Sequence, residues 1–372
     1  MPGDDLIDSF RQELRHWLLD AKRPPNLRDY GPTPTAEDVA PGRAWQRMLA
    51  EAGWACIAWP VQWGGRNATL AEQAVFVEEC AAAGVPRQVN IVGPDLVGPV
   101  LLAHGTDEQR SSMLPRIRTG DDLWCQLFSD PDAGSDLAGI RTKAERADGG
   151  WIIDGAKLWS SGANSADMGL LLARTGSDRL GLSMFAVPMT ARGIEVRPLR
   201  QMDGQRKFNE VRFDQVVIDE GALLGDVGDG WKLTMSTLGS ERLNLGAQSI
   251  ALFAHLDEIL AALAPGDRLA RQGAAALWTR IWLLRANFER LMVSGRVLAD
   301  PSYSMLKLAA SELQRDLYRF GVGQIAMASI AASGELPATT ARFLGQPGQT
   351  IAGGTSEIQR NILAERVLGL PR

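Results

Sequence analysis

The sequence has few of the residues that build metal sites and disulfide frameworks. Among its 372 residues there are three cysteines and three histidines. Cys56, Cys80 and Cys125 lie far apart and show no Cys-x-x-Cys spacing, so they are expected to be buried thiols in a reducing compartment. No carboxylates stand at metal-ligand spacing around the histidines, and no metal centre is expected.

The chain also lacks an excess of one charge and any long uncharged apolar run. A net charge of -5 and a pI near 5.4 argue against nucleic acid or an anionic membrane as the main partner. No uncharged stretch approaches the roughly 20 residues that a membrane helix needs. The first residues, MPGDD, do not resemble a secretory signal. A soluble, cytoplasmic protein is expected.

Two long regions of helical periodicity flank a shorter region of strand-like segments. Apolar residues recur at helical spacing up to about residue 122 and again beyond residue 230, whereas short alternating runs and tight turns fill the stretch between. The predicted fold class is therefore α+β, with an N-terminal helical domain (1–122), a middle β domain (123–229) and a C-terminal helical domain (230–372).

The same patterns predict individual elements. Thr106 is expected to cap a helix, residues 148–150 (DGG) to form a hairpin turn, and Trp151 and Trp282 to lie in the core. Helices are expected at 6–21, 44–52, 70–83, 97–104, 107–118, 231–263, 268–297, 304–331 and 355–368. Strands are expected at 169–174, 182–187, 194–199 and 210–218.

Two motifs of the middle region point to a ligand. Residues 130–136 (DPDAGSD) gather turn formers and small side chains, so that backbone N–H groups can approach a phosphate or a flavin edge. Residues 157–164 (KLWSSGAN) place a tryptophan and two hydroxyls where a short strand ends. Either motif alone is compatible with a plain surface turn. Together they closely resemble the middle domain of the acyl-CoA dehydrogenases, flavoenzymes that desaturate CoA thioesters, and the resemblance spans essentially the whole chain.

The resemblance implies an FAD cofactor and the residues that hold it. These are Gln126, Leu127, Ser129, Gly134, Ser135, Trp159, Ser161, Thr355 and Glu357. The first three would meet the edge of the isoalloxazine ring, and Trp159 and Ser161 would supply an aromatic wall and a hydroxyl donor. The 134–135 pair would lie near the pyrophosphate and the pantetheine arm of the substrate, and the last two residues would contact the ADP half.

Desaturation needs a carboxylate that removes the weakly acidic α proton while a hydride leaves the β carbon. Most of the best-known relatives place this glutamate just before a C-terminal Gly-Thr. Gly353 occupies that position here, and only its backbone N–H remains to polarise the thioester carbonyl. A minority of the family carries the base on the helix that opens the C-terminal domain, where this chain has Glu241.

Glu241 is therefore the expected base, although its spacing alone favours an ordinary surface glutamate. It shares a predicted helical face with Leu238 and Leu245. Arg242 and Gly354 are implied to contact the CoA substrate, and a surface ion pair is the alternative for Arg242.

Two motifs of homomeric relatives are missing. The sequence has neither the Arg-x-x-Phe-Gly-x-Pro motif nor the later Gln-x-x-Gly-Gly-x-Gly segment, both of which reach the flavin from a neighbouring subunit. Either this chain holds flavin with other contacts in a homo-oligomer, or an unlike subunit supplies the missing groups. We favour the second, which resembles the actinobacterial heteromeric enzymes of steroid side-chain degradation and implies a heterotetramer. Electrons would pass to an electron-transferring flavoprotein.

Three other functions fit the same fold: a non-catalytic subunit that completes the flavin site of a partner, an acyl-CoA oxidase and a nitroalkane-oxidising enzyme. Retention of Glu241, Trp159 and Ser161 argues against the first, because a supporting chain needs no base. An oxidase requires oxygen access, and a nitroalkane-oxidising relative requires an aspartate base.

Overall fold

The computed structural model describes residues 2–31, 34–178, 181–240, 244–264, 266–292, 300–325 and 336–371. The chain divides into two compact units. The first comprises Met1–Arg200 with Arg206–Ser240, and the second comprises Gln201–Gln205 with Glu241–Arg372. The three-domain division drawn from the sequence stays a prediction.

In its described residues the first unit opens with five α-helices. They are α1 (Pro2–Asp20), α2 (Ala36–Glu51), α3 (Leu70–Ala82), α4 (Gly98–His104) and α5 (Asp107–Thr119). Thr106 caps α5 as predicted, because its hydroxyl accepts from Gln109 N and the Gln109 side chain reaches back to Thr106 N. Helix α2 begins earlier than predicted, since Thr35 and Asp38 form a capping box ahead of Pro41.

Eight strands follow, in the order β6-β7-β3-β2-β4-β5-β8, with β1 parallel to β4 off this path. They are β1 (Trp124–Leu127), β2 (Lys143–Ala147), β3 (Gly150–Lys157), β4 (Met168–Arg174), β5 (Leu182–Pro188), β6 (Ile194–Leu199), β7 (Phe208–Asp219) and β8 (Leu223–Leu224). The four strands predicted from alternation are present with nearly the predicted ends. The predicted hairpin is confirmed, because β2 and β3 pair antiparallel around Gly149 at φ 78°.

The central strands β4 and β5 are buried on both faces and separate two hydrophobic cores. Leu170 and Met184 belong to the core shared with the N-terminal helices, whereas Leu171 and Phe185 lie in the core enclosed by the sheet itself. Successive residues of β4 and β5 thus point to opposite sides. Trp151 is buried in the second core as predicted, with its ring centroid 5.2 Å from that of Phe185.

The helix α6 (Gly230–Ser240) ends the first unit, and the second unit is helical. Its helices are α7 (Asn244–Ala261), α8 (Arg268–Met292), α9 (Ser304–Ile325), α10 (Ala338–Gly345) and α11 (Ser356–Ile362). The eight-residue α10 was not predicted, and the predicted C-terminal helix ends in a π-helical turn, Leu363–Val367. The helix expected at 231–263 is found on both sides of residues 241–243, which lie outside the described ranges.

The prediction that Trp282 lies in the core was wrong. Its side chain is 46% exposed, and its ring centroid lies 5.7 Å from that of Trp278 and 5.5 Å from that of Phe253. Helix α8 buries Leu277 and Ile281 instead. The buried residues of this helix recur every three or four positions, and Trp282 lies one position off their face.

The three cysteines are free and buried, as predicted. Burial raises the pKa of the Cys125 thiol to about 12, so this thiol stays protonated. Among the described residues, no helix is long and apolar enough to cross a membrane, and no cluster of His, Cys, Asp and Glu is arranged to hold a metal ion.

Candidate functional site

Trp159 follows β3 in a left-handed backbone conformation, with φ 62°, which bulky residues rarely adopt. Its indole is 58% exposed and lies edge to face with Phe208, at a centroid distance of 6.0 Å. The residue that follows, Ser160, is buried and its backbone is held by Asn209. Ser160 N donates to Asn209 O (3.0 Å), and Ser160 O accepts from Asn209 N (3.1 Å) and Nδ2 (2.9 Å). An exposed ring is thus held in place by a rigid backbone. We call residues 158–161 the tryptophan turn.

Ser129 and Ser161 are brought to either end of this turn. Leu158 N donates to Ser129 O at 2.8 Å, which ties the segment after β1 to the end of β3. Both serines are half-buried, and neither hydroxyl has a hydrogen bond to a described residue. The structure therefore presents an exposed aromatic ring and, on the same connected segments, two hydroxyls without a partner among the described residues, which are groups that suit a planar ring with polar edges.

The other residues predicted at this site differ in what they can offer. Leu127 is fully buried against Gly169, so only its backbone can meet a ligand. Gln126 is half-buried, and its side chain lies on the face of β1 opposite to that of Leu127. Gly134 and Ser135 are exposed, and a methyl group on Gly134 would meet nothing within 4 Å. The folded chain does not require glycine at 134, so its role in ligand approach stays a prediction.

In the second unit, residues 352–355 form a turn that we call the glycine loop. Gly353 and Gly354 have φ of 64° and 92°. Their carbonyls are engaged by the protein: Gln359 Nε2 donates to Gly353 O at 2.9 Å, and Lys307 Nζ donates to Gly354 O at 2.7 Å. The N–H groups of both glycines donate to no described residue. The loop therefore offers donors of the kind that stabilise a developing oxyanion.

Thr355 caps α11, because its hydroxyl accepts from Ile358 N at 3.2 Å. The same hydroxyl donates to the Glu357 carboxylate. Glu357 is exposed in the first turn, and hydrogen bonds from its own backbone and from Thr355 lower its pKa. This carboxylate is an acceptor at neutral pH. Contacts of Thr355 and Glu357 with the ADP half of a flavin stay predictions.

Glu241 and Arg242 lie outside the described residues, and so do the side chains of Leu238 and Leu245. Their predicted roles as base and substrate contact are neither supported nor contradicted by the geometry.

Sequence reasoning missed three residues that shape the tryptophan turn. Asn209 binds the Ser160 backbone, and the Asp130 carboxylate accepts from the fully buried Lys157 at 2.6 Å. Asp130 and Lys157 were visible within the two motifs but were given no role. Lys157 is the last residue of β3, where a lysine usually reaches solvent, so no local signal pointed to a buried ion pair.

An exposed aromatic ring in one segment and free amides in another are features of enzymes that bind a planar cofactor and polarise a carbonyl. The chain belongs to the acyl-CoA dehydrogenase family. Profiles of that family match its N-terminal domain at residues 8–121, its middle domain at 125–216 and its C-terminal domain at 228–368.

The chain is similar to curated and solved members of the family over nearly its full length. It is 38% identical to the acyl-CoA dehydrogenase IpdE1 of Mycobacterium tuberculosis, with 98% of each chain covered. It superposes on the steroid acyl-CoA dehydrogenase Tcur3481–Tcur3483 with a TM-score of 0.84 at 26% identity, covering 99% of this chain and 98% of that one. For the ChsE4–ChsE5 complex from Mycobacterium tuberculosis the TM-score is 0.83 at 27% identity, with the same coverage.

The family membership establishes the general chemistry. The protein is an FAD-dependent oxidoreductase that acts on acyl-CoA thioesters. The residues of the tryptophan turn fit the flavin, because an open aromatic face and adjacent hydroxyls match the ring and its polar edge.

Proposed function

We propose that the protein desaturates an acyl-CoA between its α and β carbons, with Glu241 as the base. When bound, FAD would supply the acceptor for the hydride that leaves the β carbon. The observation that carries the proposal is the exposed, left-handed Trp159 with the available hydroxyls of Ser129 and Ser161 beside it. In the proposed reaction Trp159 would support one side of the ring, and the two serines would hydrogen-bond its edge.

The glycine loop has the properties that the substrate carbonyl requires. The α proton becomes acidic enough to remove only when the thioester oxygen is stabilised as charge develops on it. The free N–H of Gly353 would donate to that oxygen, with Gly354 beside the thioester. Because Gly353 carries no carboxylate, the proton must go to another residue, and Glu241 is the candidate that the family pattern supplies.

Replacement of Glu241 by Gln tests the base. The amide cannot take up a proton, so anaerobic bleaching of the flavin by acyl-CoA is expected to slow by about 10²–10⁴-fold, the usual contribution of a general base. FAD content and the visible spectrum should be unchanged. Glu51→Gln, at an exposed position at the end of α2, is the matched control. A largely active Glu241→Gln protein would exclude Glu241 as the base. If the activity of that variant were then lost when a partner chain is removed, the non-catalytic alternative would be favoured.

We also propose that a second acyl-CoA dehydrogenase-like chain completes the assembly. Three observations support it: the two interface motifs of homomeric relatives are absent, the similar ChsE4–ChsE5 structure is a complex of two chains, and Phe253, Trp278 and Trp282 leave an aromatic cluster partly exposed on the second unit. The test is to express this chain alone and together with candidate partner chains, and to measure the native mass and the FAD content of each product. A homo-oligomer with one FAD per chain would refute it.

The proposed substrate is a steroid-derived CoA thioester, an idea supported by the similarity to a steroid acyl-CoA dehydrogenase. The proposed acceptor is an electron-transferring flavoprotein. Anaerobic bleaching with straight-chain, branched and steroid-derived CoA thioesters tests the first. Comparing reoxidation by oxygen with reoxidation by the flavoprotein tests the second, and fast turnover with oxygen would instead assign an acyl-CoA oxidase.

A further inference from the structure

The buried ion pair of Lys157 and Asp130 adjoins the tryptophan turn, because Lys157 is the last residue of β3 before it. Lys157 is fully buried and Asp130 nearly so, and Nζ lies 2.6 Å from Asp130 Oδ1. The same ammonium donates to Phe128 O at 2.8 Å. One lysine therefore binds the residue before Ser129 and the residue after it, while Leu158 N binds Ser129 itself.

The carboxylate of Asp130 connects a third segment to this pair. Oδ2 accepts from Arg141 N at 2.5 Å and from Thr142 N at 2.7 Å, and Oδ1 accepts from Thr142 Oγ1 at 2.9 Å. Thr142 Oγ1 also lies 3.1 Å from Ala156 O. With the bond from Lys157, Asp130 accepts four hydrogen bonds, which fills its acceptor capacity. The pair thus fixes residues 128–130, 141–142 and 156–158 relative to one another.

Neither charge is available to a ligand, because both groups are buried and satisfied within the protein. Their effect passes through the backbone. Trp159 comes two residues after Lys157 and holds a strained left-handed conformation, which persists only where the surroundings determine it on both sides. Asn209 fixes the far side through Ser160, and Lys157 fixes the near side.

We propose that Lys157 and Asp130 are positioning residues that hold Trp159 and Ser129 in the arrangement that receives the flavin ring. The flavin-facing part of this inference rests on the proposed function, whereas the effect on Trp159 does not. A neutral pair of similar shape would preserve much of the packing. It would lose the charged hydrogen bonds from Lys157 that hold the residues on both sides of Ser129 against the end of β3.

The test uses the double variant Asp130→Asn/Lys157→Met, which leaves no buried charge unpaired. Fluorine NMR of the protein labelled with 5-fluorotryptophan reports on each indole, and Trp159→Phe assigns the Trp159 line. The expected result is that the Trp159 line shifts or splits while the line of core Trp151 stays unchanged. FAD binding should weaken by about tenfold, which corresponds to the loss of about one hydrogen bond to the ring edge.

The exposed pair of Lys143 and Glu145 on the neighbouring strand is the control, and Lys143→Met/Glu145→Gln should move neither readout. An unchanged Trp159 line with unchanged FAD affinity in the folded double variant would overturn the inference. Equal movement of the Trp151 and Trp159 lines, with FAD affinity unchanged, would show a general structural role and would overturn it as well. Wild-type protein that binds no FAD in any assembly would instead refute the proposed function, and the Trp159 line would still decide the positioning role.

Discussion

The tryptophan turn and the glycine loop reach unusual backbone conformations in opposite ways. In the tryptophan turn, a bulky residue takes a positive φ and is held there by a buried ion pair on one side and by Asn209 on the other. In the glycine loop, the two residues with positive φ have no Cβ, so the conformation carries little strain. Two side chains, Lys307 and Gln359, bind its carbonyls.

The difference shows where each segment is vulnerable. The tryptophan turn depends on groups that lie behind it and do not touch a ligand, so it should fail when buried charge is disturbed. The glycine loop depends on the absence of side chains, so it should fail when a methyl group is added. Both segments present N–H or O–H groups outward, but only the first stores strain to do so.

The largest expected effect is that of Asp130→Asn. This change leaves the Lys157 ammonium buried without its carboxylate, and breaking a buried ion pair costs about 3–5 kcal/mol. Urea unfolding should show that loss in the free energy of unfolding. Lys143→Met removes an exposed pair with Glu145 (2.9 Å) and should cost less than about 1 kcal/mol. Equal losses in the two variants would mean that the buried Asp130–Lys157 pair contributes no more to the free energy of unfolding than an exposed pair does.

The sequence predicted the family, the α+β fold class and most strands, because local signals carry that information. Alternation marked β4 to β7, and the DGG turn marked the first hairpin. The motif around Trp159 was recognisable by residue type, but its positive φ and its dependence on Asp130 were not. Those follow from contacts between segments 27 residues apart, which no local pattern reports.

The error at Trp282 has a different cause. Helix α8 buries one face at regular helical spacing, including Leu277, Ile281 and Leu284, and Trp282 lies one position off that face. A large aromatic side chain was expected in the core because of its type, although its position in the helical period places it outside. The sequence also left out α10, an eight-residue helix without a side-chain cap at its start. Short elements of this kind are set by tertiary contacts more than by their own propensity.

A smaller effect is expected for Gly354→Ala. Alanine in a left-handed conformation costs about 1–2 kcal/mol, and its methyl group would lie 2.6 Å from Gln359 Nε2. The free energy of unfolding should fall by about 2 kcal/mol, and kcat/KM should fall more steeply than FAD affinity. Gly134→Ala is the matched control, since its methyl group meets nothing within 4 Å and should change stability by under about 0.5 kcal/mol. Full activity of Gly354→Ala would mean that the loop tolerates a side chain.

The second unit also holds a half-buried polar pair, which is neutral, unlike the ion pair of Lys157 and Asp130. His255 Nδ1 lies 2.8 Å from Tyr318 Oη. Burial lowers the pKa of His255 to about 4, with a smaller contribution from the Arg342 guanidinium and opposition from Glu258. As the pH falls below the ordinary value of about 6.5, the unfolded chain therefore takes up a proton before the folded chain does. The stability that the neutral imidazole contributes is complete above pH 6.5 and is lost as the pH approaches 4.

Urea unfolding at pH 7.0 and pH 4.5 measures this loss against His255→Gln, which has no group to titrate at that position. The wild-type protein should lose about 1 kcal/mol more than the variant between the two pH values, because partial exposure of the ring screens the interaction. His16→Gln, at an exposed site on α1, should lose as much as the wild type does. Equal losses of stability in His255→Gln and in the wild type would mean that folding does not lower the pKa of His255. The contrast between a charged pair in one unit and a neutral pair in the other would then not hold.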